Sequence, residues 1–164
     1  MKLAPMIALA LIASTAQAAD LPNPSLTPGA TDPEVTEPNI KESICKVTHF
    51  TWTEGHMPPA SFLASIAKDE IKQYGYTDDN AKHYQMDHLI PLSLGGNPTD
   101  PKNIWPQELL PKSKWSARRK DYLEEVLHDK VCKGELTLKD AQDQIKANWI
   151  EAYKKHIGDP DKTS

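Results

Sequence analysis

Glycine, cysteine and long apolar runs are all scarce in this sequence, and each scarcity excludes a class of protein. Seven glycines in 164 residues exclude collagen-like and low-complexity chains. No apolar run reaches the roughly 18–20 residues that span a bilayer, so we exclude a transmembrane protein. The formal net charge of −4 also argues against a generally basic protein that coats nucleic acid. The remaining class is a globular protein with one core.

The N-terminus has the pattern of a cleavable signal peptide. Met1-Lys2 provides a short charged region, and an apolar segment covers residues 6–13. Ala16-Gln17-Ala18 then places small residues at the two positions that a signal peptidase inspects. A buried N-terminal helix is the less favoured alternative. We therefore predict a signal peptide over residues 1–18, cleavage after Ala18, and a periplasmic or secreted protein.

Residues 19–39 differ in composition from the rest of the chain. This stretch has five prolines, four acidic residues and no basic residue. Such a composition buries too little apolar surface to offset its ordering entropy, so we predict a flexible acidic tail. From Ile40 onward the charges nearly balance, with 18 basic and 19 acidic residues. We expect one folded domain over residues 40–158 and a disordered C-terminus over 159–164.

The two cysteines, Cys45 and Cys132, form an even pair in a chain that we expect to be exported. A bridge between them would close a loop of nearly ninety residues, worth roughly 4–5 kcal/mol in the chain-entropy model and often less in practice. The alternative, zinc ligation, normally needs four closely spaced Cys and His ligands. Neither cysteine has a nearby second cysteine. We predict a disulfide.

Hydrophobic periodicity predicts three helices and two short strands. The helices are expected over residues 61–74, over 115 to about 130, and from a Thr137 cap to Gly158. A strand-like segment covers 84–90 and is followed by a loop dense in turn formers. Residues 103–105 could form the returning strand before Pro106. The predicted fold class is α+β, mainly helical, with the order strand, loop, strand, helix at its centre.

Three short motifs lie in this central part of the chain. They are Asp87-His88-Leu89-Ile90-Pro91, then Gly95-Gly96, and then Asn103-Ile104-Trp105-Pro106. Together they resemble the HNH endonuclease family, also called ββα-metal or His-Me finger nucleases. The stretch from about Cys45 to Tyr153 is similar to exported HNH-type proteins with a DHLIPL…GG…NxWPQ pattern. The resemblance implies a ββα-metal element embedded among helices, and hydrolysis of phosphodiester bonds.

Three residues of these motifs suit that chemistry. A neutral imidazole can deprotonate water near neutral pH, so His88 is the candidate general base. Hard divalent cations take oxygen ligands, which makes Asp87 a candidate ligand for Mg²⁺ or Mn²⁺. Asn103 matches the family asparagine that orients the histidine, by holding either its ring or the local backbone. Gly95-Gly96 would let the loop turn tightly or approach a substrate.

The sequence departs from the family pattern after the second strand. The position at which the family has a metal-binding histidine is Lys112 here. Ser116 stands where the exported relatives are expected to have an asparagine, and a hydroxyl is a weaker metal ligand. We expect the second ligand to be Ser116, with Asp121 as an alternative.

A cluster of basic residues surrounds the start of the following helix. It comprises Lys112, Lys114, Arg118, Arg119 and Lys120, with no acidic residue between Pro111 and Lys120. Such a cluster suits contacts with a phosphate backbone, and we assign Lys114, Arg118, Arg119 and Lys120 to that role. Trp105 and Trp115 flank the cluster. Core packing is the safer interpretation for both, although either could stack on a base.

These features predict an exported metal-dependent endonuclease without strong sequence specificity. Its substrate would be DNA or RNA, and we expect a monomer without stable membrane association. The alternative is a catalytically inactive nucleic-acid-binding or structural module on an HNH-like scaffold. The absence of the helix histidine favours that alternative, because function depends on the site rather than on the fold.

Overall fold

The computed structural model describes residues 20–111 and 113–162, and it confirms the α+β class. Four α-helices surround a small two-stranded sheet, joined by short 3-10 turns. The central order of strand, loop, strand and helix is as predicted. The elements, in chain order, are α1 His49–His56, α2 Ala60–Gln73, β1 Tyr84–His88, β2 Ile104–Glu108, α3 Ala117–Lys133 and α4 Leu138–His156.

Three of the four helices lie where the apolar periodicity places them. The fourth, α1, was not predicted. It buries none of its residues and carries no apolar stripe, so hydrophobic periodicity had no signal to detect. Its N-terminus is capped by Thr48, whose hydroxyl accepts from the backbone N–H of Thr51 at 3.2 Å.

Helix α4 begins at the predicted cap and breaks once. The Thr137 hydroxyl accepts from the Asp140 N–H at 3.0 Å. At Asn148 the backbone leaves the helical region, with φ −169° and ψ 100°. The Asn148 side-chain oxygen then accepts from the N–H groups of Ile150 and Glu151. Asn148 thus acts as an internal N-cap, and the second part of the helix restarts after it.

The two strands pair antiparallel, with Asp87 opposite Trp105 and His88 opposite Ile104. Strand β2 continues through Pro106, although the sequence predicted an end before it. The Leu89 N–H donates to the Asn103 carbonyl, and in an antiparallel ladder bonded pairs recur at every second residue. Pro106 therefore occupies a non-bonded position opposite Met86, where its missing N–H costs no ladder bond.

The main core forms between α3, α4 and the loop that follows β1. Trp115 meets Trp149 edge-on in this core, with ring centroids 5.8 Å apart. Trp105 is fully buried in a second, smaller cluster with Tyr74 and Leu89. Both tryptophans that flank the basic cluster therefore pack in the interior, in agreement with the predicted core packing.

Residues 20–39 pack along the domain, which differs from the expected flexible tail. Thr31 forms a β-bridge with Gly96, and Val35 enters the main core. Thr27 is fully buried, and its hydroxyl lies 2.5 Å from the Tyr74 hydroxyl and 3.2 Å from the Ile104 carbonyl oxygen. Although poor in apolar residues, the segment is ordered by backbone hydrogen bonds to the loop after β1, which composition does not reveal.

A cysteine pair and two ion pairs fasten further parts of the chain to the domain. Cys45 and Cys132 lie at disulfide distance, with Cα atoms 5.4 Å apart, as predicted. Asp159 and Asp161 pair with Lys114, so this part of the expected disordered C-terminus contacts the domain. The predicted signal peptide lies outside the described residues. Among the helices that are described, none combines the length and apolarity needed to cross a bilayer.

Candidate functional site

Asp87 and His88 lie at the end of β1, under the first turns of α3. Both side chains are almost completely buried. As neighbours on a strand they leave the backbone in different directions, and they take different partners. Asp87 contacts α3 and β2, whereas His88 contacts the loop that connects the two strands.

The His88 ring is held in one tautomer. Its Nε2 lies 2.9 Å from the carbonyl oxygen of Pro98. Because a carbonyl only accepts, Nε2 carries the hydrogen and Nδ1 keeps a free lone pair in the neutral ring. Burial lowers the pKa of His88 below its ordinary value, although the Pro98 carbonyl and Asp87 oppose that shift. The ring is therefore neutral near pH 7, with Nδ1 as the basic atom.

Asn103 is fully buried and fastens the connecting loop rather than the histidine ring. Its Oδ1 accepts from the Ile90 N–H at 2.9 Å, and its Nδ2 donates to the carbonyls of Ile90 and Asn97, both at 3.0 Å. A weaker contact at 3.4 Å reaches the Ala30 N–H. Of the two orienting modes that the sequence left open, the structure shows the contact with the local backbone.

The Gly95-Gly96 pair makes this loop geometry possible. A Cβ atom on Gly96 would lie 1.8 Å from the Ile90 carbonyl oxygen and 2.9 Å from Asn103 Nδ2. Gly95 has φ +70°, and a Cβ atom on it would lie 2.7 Å from Val35 Cγ1. Any side chain at Gly96 would push the loop away from Asn103. The glycine pair therefore serves a close approach within the protein.

Asp87 forms an ion pair with a buried lysine of α3. Lys120 is fully buried, and its Nζ lies 2.8 Å from Asp87 Oδ2, 2.6 Å from Glu124 Oε1 and 2.7 Å from the His88 carbonyl oxygen. These three oxygens use all three ammonium hydrogens. The Trp105 indole N–H also donates to Asp87 Oδ2, at 3.0 Å. The Lys120 ammonium group thus neutralises the negative charge of the Asp87 carboxylate inside the protein.

The protonation of this cluster follows from burial and charge. Burial by itself would lower the pKa of Lys120, but Asp87 and Glu124 outweigh it and raise that pKa. Burial raises the pKa of Glu124 to about 7, against the opposing effect of Lys120. Lys120 therefore stays charged at neutral pH.

The assignment of Lys120 to phosphate binding is wrong, because its ammonium group is buried and already has three acceptors. Lys114 pairs with two aspartates of the C-terminus. Arg119 donates to the Lys114 carbonyl and lies over the Tyr153 ring. Within the described part of the chain, Arg118 alone of the four is exposed without an ion pair. The basic cluster therefore offers less free charge than the sequence suggested.

The residues expected to bind a divalent metal do not fit one. Asp87 Oδ2 is already bound by a cation, and Ser116 is the N-cap residue of α3, with no capping hydrogen bond from its side chain. Lys112 lies outside the described residues. Divalent cations in proteins need several oxygen ligands at once. Among the described residues, no group of three His, Cys, Asp or Glu ligands includes Asp87, so Asp87 lacks the further ligands of these types that such an ion needs.

A different group of residues could hold a metal ion. One donor atom each from Cys45, His128 and Cys132 lie within 4.8 Å of one another. His128 Nε2 is 3.6 Å from Cys132 Sγ and 2.9 Å from the Ile44 carbonyl oxygen. Bonded sulfurs are not thiolates, so metal binding there would first require reduction of the cysteine pair.

Two side-chain contacts were not predicted, although the spacing of the residues indicated them. Glu124 follows Lys120 by four residues, and Cys132 follows His128 by four residues. On a helix this spacing places side chains on the same face. A histidine near a helix C-terminus is already explained by its favourable interaction with the helix dipole, so the sequence alone did not point to His128.

Comparison with known proteins adds no relative to this picture. No protein-family model matches the chain. No curated protein and no solved structure shows significant similarity to it either. The resemblance to HNH endonucleases therefore depends on the motif residues alone and stays a prediction.

Proposed function

We propose that this protein is an exported hydrolase that cleaves phosphodiester bonds in nucleic acid, with His88 as the general base. The observation that supports this function is the hydrogen bond from His88 Nε2 to the Pro98 carbonyl. It leaves Nδ1 as a basic atom on a neutral ring. A water-activating base needs an unprotonated nitrogen near neutral pH, and this hydrogen bond is compatible with that requirement.

In this proposal His88, the connecting loop and Arg118 each have a defined task. Nδ1 of His88 removes a proton from the attacking water, and the Pro98 carbonyl stabilises the imidazolium that forms. As the water oxygen bonds phosphorus, the P–O bond to the leaving sugar oxygen breaks, and that oxygen takes a proton from solvent water. The Asn103 Nδ2 donates to the Asn97 carbonyl, one residue before Pro98. This bond keeps the Pro98 carbonyl, the acceptor for His88, in position. Arg118 is the exposed cation that would contact substrate phosphate. Because nothing in the loop resembles a base-reading element, we propose cleavage of DNA or RNA without strong sequence specificity.

A specific observation favours a second candidate function. Lys120 forms an ion pair with Asp87, the carboxylate that the family resemblance assigns to metal binding. A scaffold that has lost its metal can persist as a nucleic-acid-binding or structural module. In that case His88 would be a buried polar residue at the end of β1, without a catalytic task.

Plasmid nicking by the chain beginning at Ala19, with its cysteine pair oxidised, tests both candidates. We would compare wild type with His88→Ala and with the matched control His83→Ala, which removes an exposed histidine paired with Asp78. Mg²⁺, Mn²⁺ and chelator are run in parallel. Nicking by wild type and His83→Ala but not by His88→Ala is the expected result. Equal inertness of all three proteins, with DNA binding retained, would favour the binding module.

A further inference from the structure

We propose that Lys120 is an internal cation that fills the place of a divalent metal ion beside Asp87. If the site hydrolyses phosphodiesters, as proposed above, the reaction then needs no divalent metal. The metal-binding part of the proposal is independent of that function, because it concerns only which cation the carboxylates hold.

The oxygens around Lys120 are the ligands that a hard cation selects. Two are carboxylate oxygens, from Asp87 and Glu124, and the third is the His88 backbone carbonyl. Ca²⁺ takes carboxylate and backbone carbonyl oxygens, and Mg²⁺ is commonly bound by one or two carboxylates. Here the three oxygens lie 2.6–2.8 Å from one nitrogen, which is hydrogen-bond distance to an ammonium group. The ammonium hydrogens match the three acceptors one to one.

A metal ion cannot share this position with Lys120. The lysine side chain is fully buried, so it has no solvent-exposed position nearby to which it can move without repacking α3. A divalent ion on the same carboxylates would lie within a few ångströms of a fixed positive charge in a low-dielectric interior. Repulsion between charges at such distances is large in a protein interior. The wild-type protein should therefore leave Mg²⁺ and Mn²⁺ unbound at Asp87.

Lys120 is a positioning residue rather than a catalytic one. Its ammonium group bonds the backbone carbonyl of His88, so it fixes the point from which the imidazole leaves β1. It has no exposed surface and cannot touch a substrate. We expect its ammonium charge to hold Asp87 and His88 in place, so that no bound metal ion is needed for this.

Titration of the chain beginning at Ala19 with Mn²⁺, followed by electron paramagnetic resonance, tests this proposal. The proteins are wild type, Asp87→Asn, Lys120→Ser and the double variant that combines both changes. We expect no Mn²⁺ site in wild type that depends on Asp87. Lys120→Ser should gain one bound Mn²⁺ per chain, and the double variant should lose it again. A purely structural lysine would not produce that gain.

One outcome overturns the proposal directly. If wild type binds one Mn²⁺ and Asp87→Asn abolishes the binding, Lys120 does not replace a metal. This comparison needs no lysine variant, so it decides the question even if Lys120→Ser fails to fold by circular dichroism.

Cleavage is scored separately from metal binding. Wild-type nicking that persists in chelator supports the proposal, and nicking abolished by chelator and restored by Mg²⁺ contradicts it. If no protein nicks under any condition, the hydrolase function fails, while the Mn²⁺ titration still decides which cation Asp87 holds.

Discussion

Replacing Asn103 by alanine should destabilise the protein strongly, because this side chain closes the loop between β1 and β2. The amide makes three hydrogen bonds of 2.9–3.0 Å to backbone groups of Ile90 and Asn97, and it is fully buried. Alanine removes all three bonds. The Ile90 N–H then loses its partner in the interior.

The expected loss follows from the number of backbone groups left unpaired. One unsatisfied buried donor costs about 1–3 kcal/mol, and each carbonyl that loses a bond adds a smaller amount because it has a second lone pair. We therefore expect the free energy of unfolding to fall by about 2–4 kcal/mol. For a domain of this size that corresponds to a decrease in Tm of about 5–15 °C.

Urea unfolding monitored by circular dichroism measures this loss. Asn80→Ala is the matched control, because Asn80 is exposed and its side chain accepts from the Lys82 N–H in a similar local turn. We expect the control to lose less than about 1 kcal/mol. Asn103→Asp should be at least as damaging as alanine, since a carboxylate oxygen would face two carbonyls. A loss below about 1 kcal/mol for Asn103→Ala would refute the assigned bonds.

Further predictions concern the glycine, the N-terminal segment, the histidine and the cysteines. Gly96→Ala should prevent stable folding at 37 °C, measured by circular dichroism, because its Cβ would lie 1.8 Å from a backbone oxygen. Thr27→Val should cost about 1–2 kcal/mol in urea unfolding, since the buried hydroxyl loses its partners. Burial lowers the pKa of His88, so below the ordinary value of 6.5 the unfolded chain takes up a proton that the folded chain does not. The free energy of unfolding should therefore fall as the pH decreases from 6.5 towards the lowered pKa, more steeply than in His88→Gln. A parallel slope in the two proteins would contradict that shift. Reduction of Cys45 and Cys132 should cost about 2–5 kcal/mol in unfolding experiments.

The candidate site could be predicted from the sequence only as far as local spacing carries information. The motif predicted His88 on the first strand, the glycine pair in the loop and Asn103 at the returning strand. In the structure His88 ends β1, the glycines lie in the loop, and Asn103 lies in the loop just before β2. The sequence could not reveal which atom His88 bonds, because Pro98 lies ten residues away and approaches only after the loop has folded. Charge counting placed Lys120 among surface cations, since a run of basic residues does not show which helix face is buried.

The sequence by itself determined the α+β class, three of the four helices, the strand–loop–strand–helix order and the pairing of the two cysteines. Those features depend on periodicity, caps and residue counts, which are local or arithmetic properties of the chain. Only the tertiary structure decided that residues 20–39 pack against the loop and that Lys120 neutralises Asp87. Both depend on partners far apart in sequence. A backbone hydrogen bond or a buried ion pair leaves no periodic trace in the residues that form it, so packing alone selects its partner.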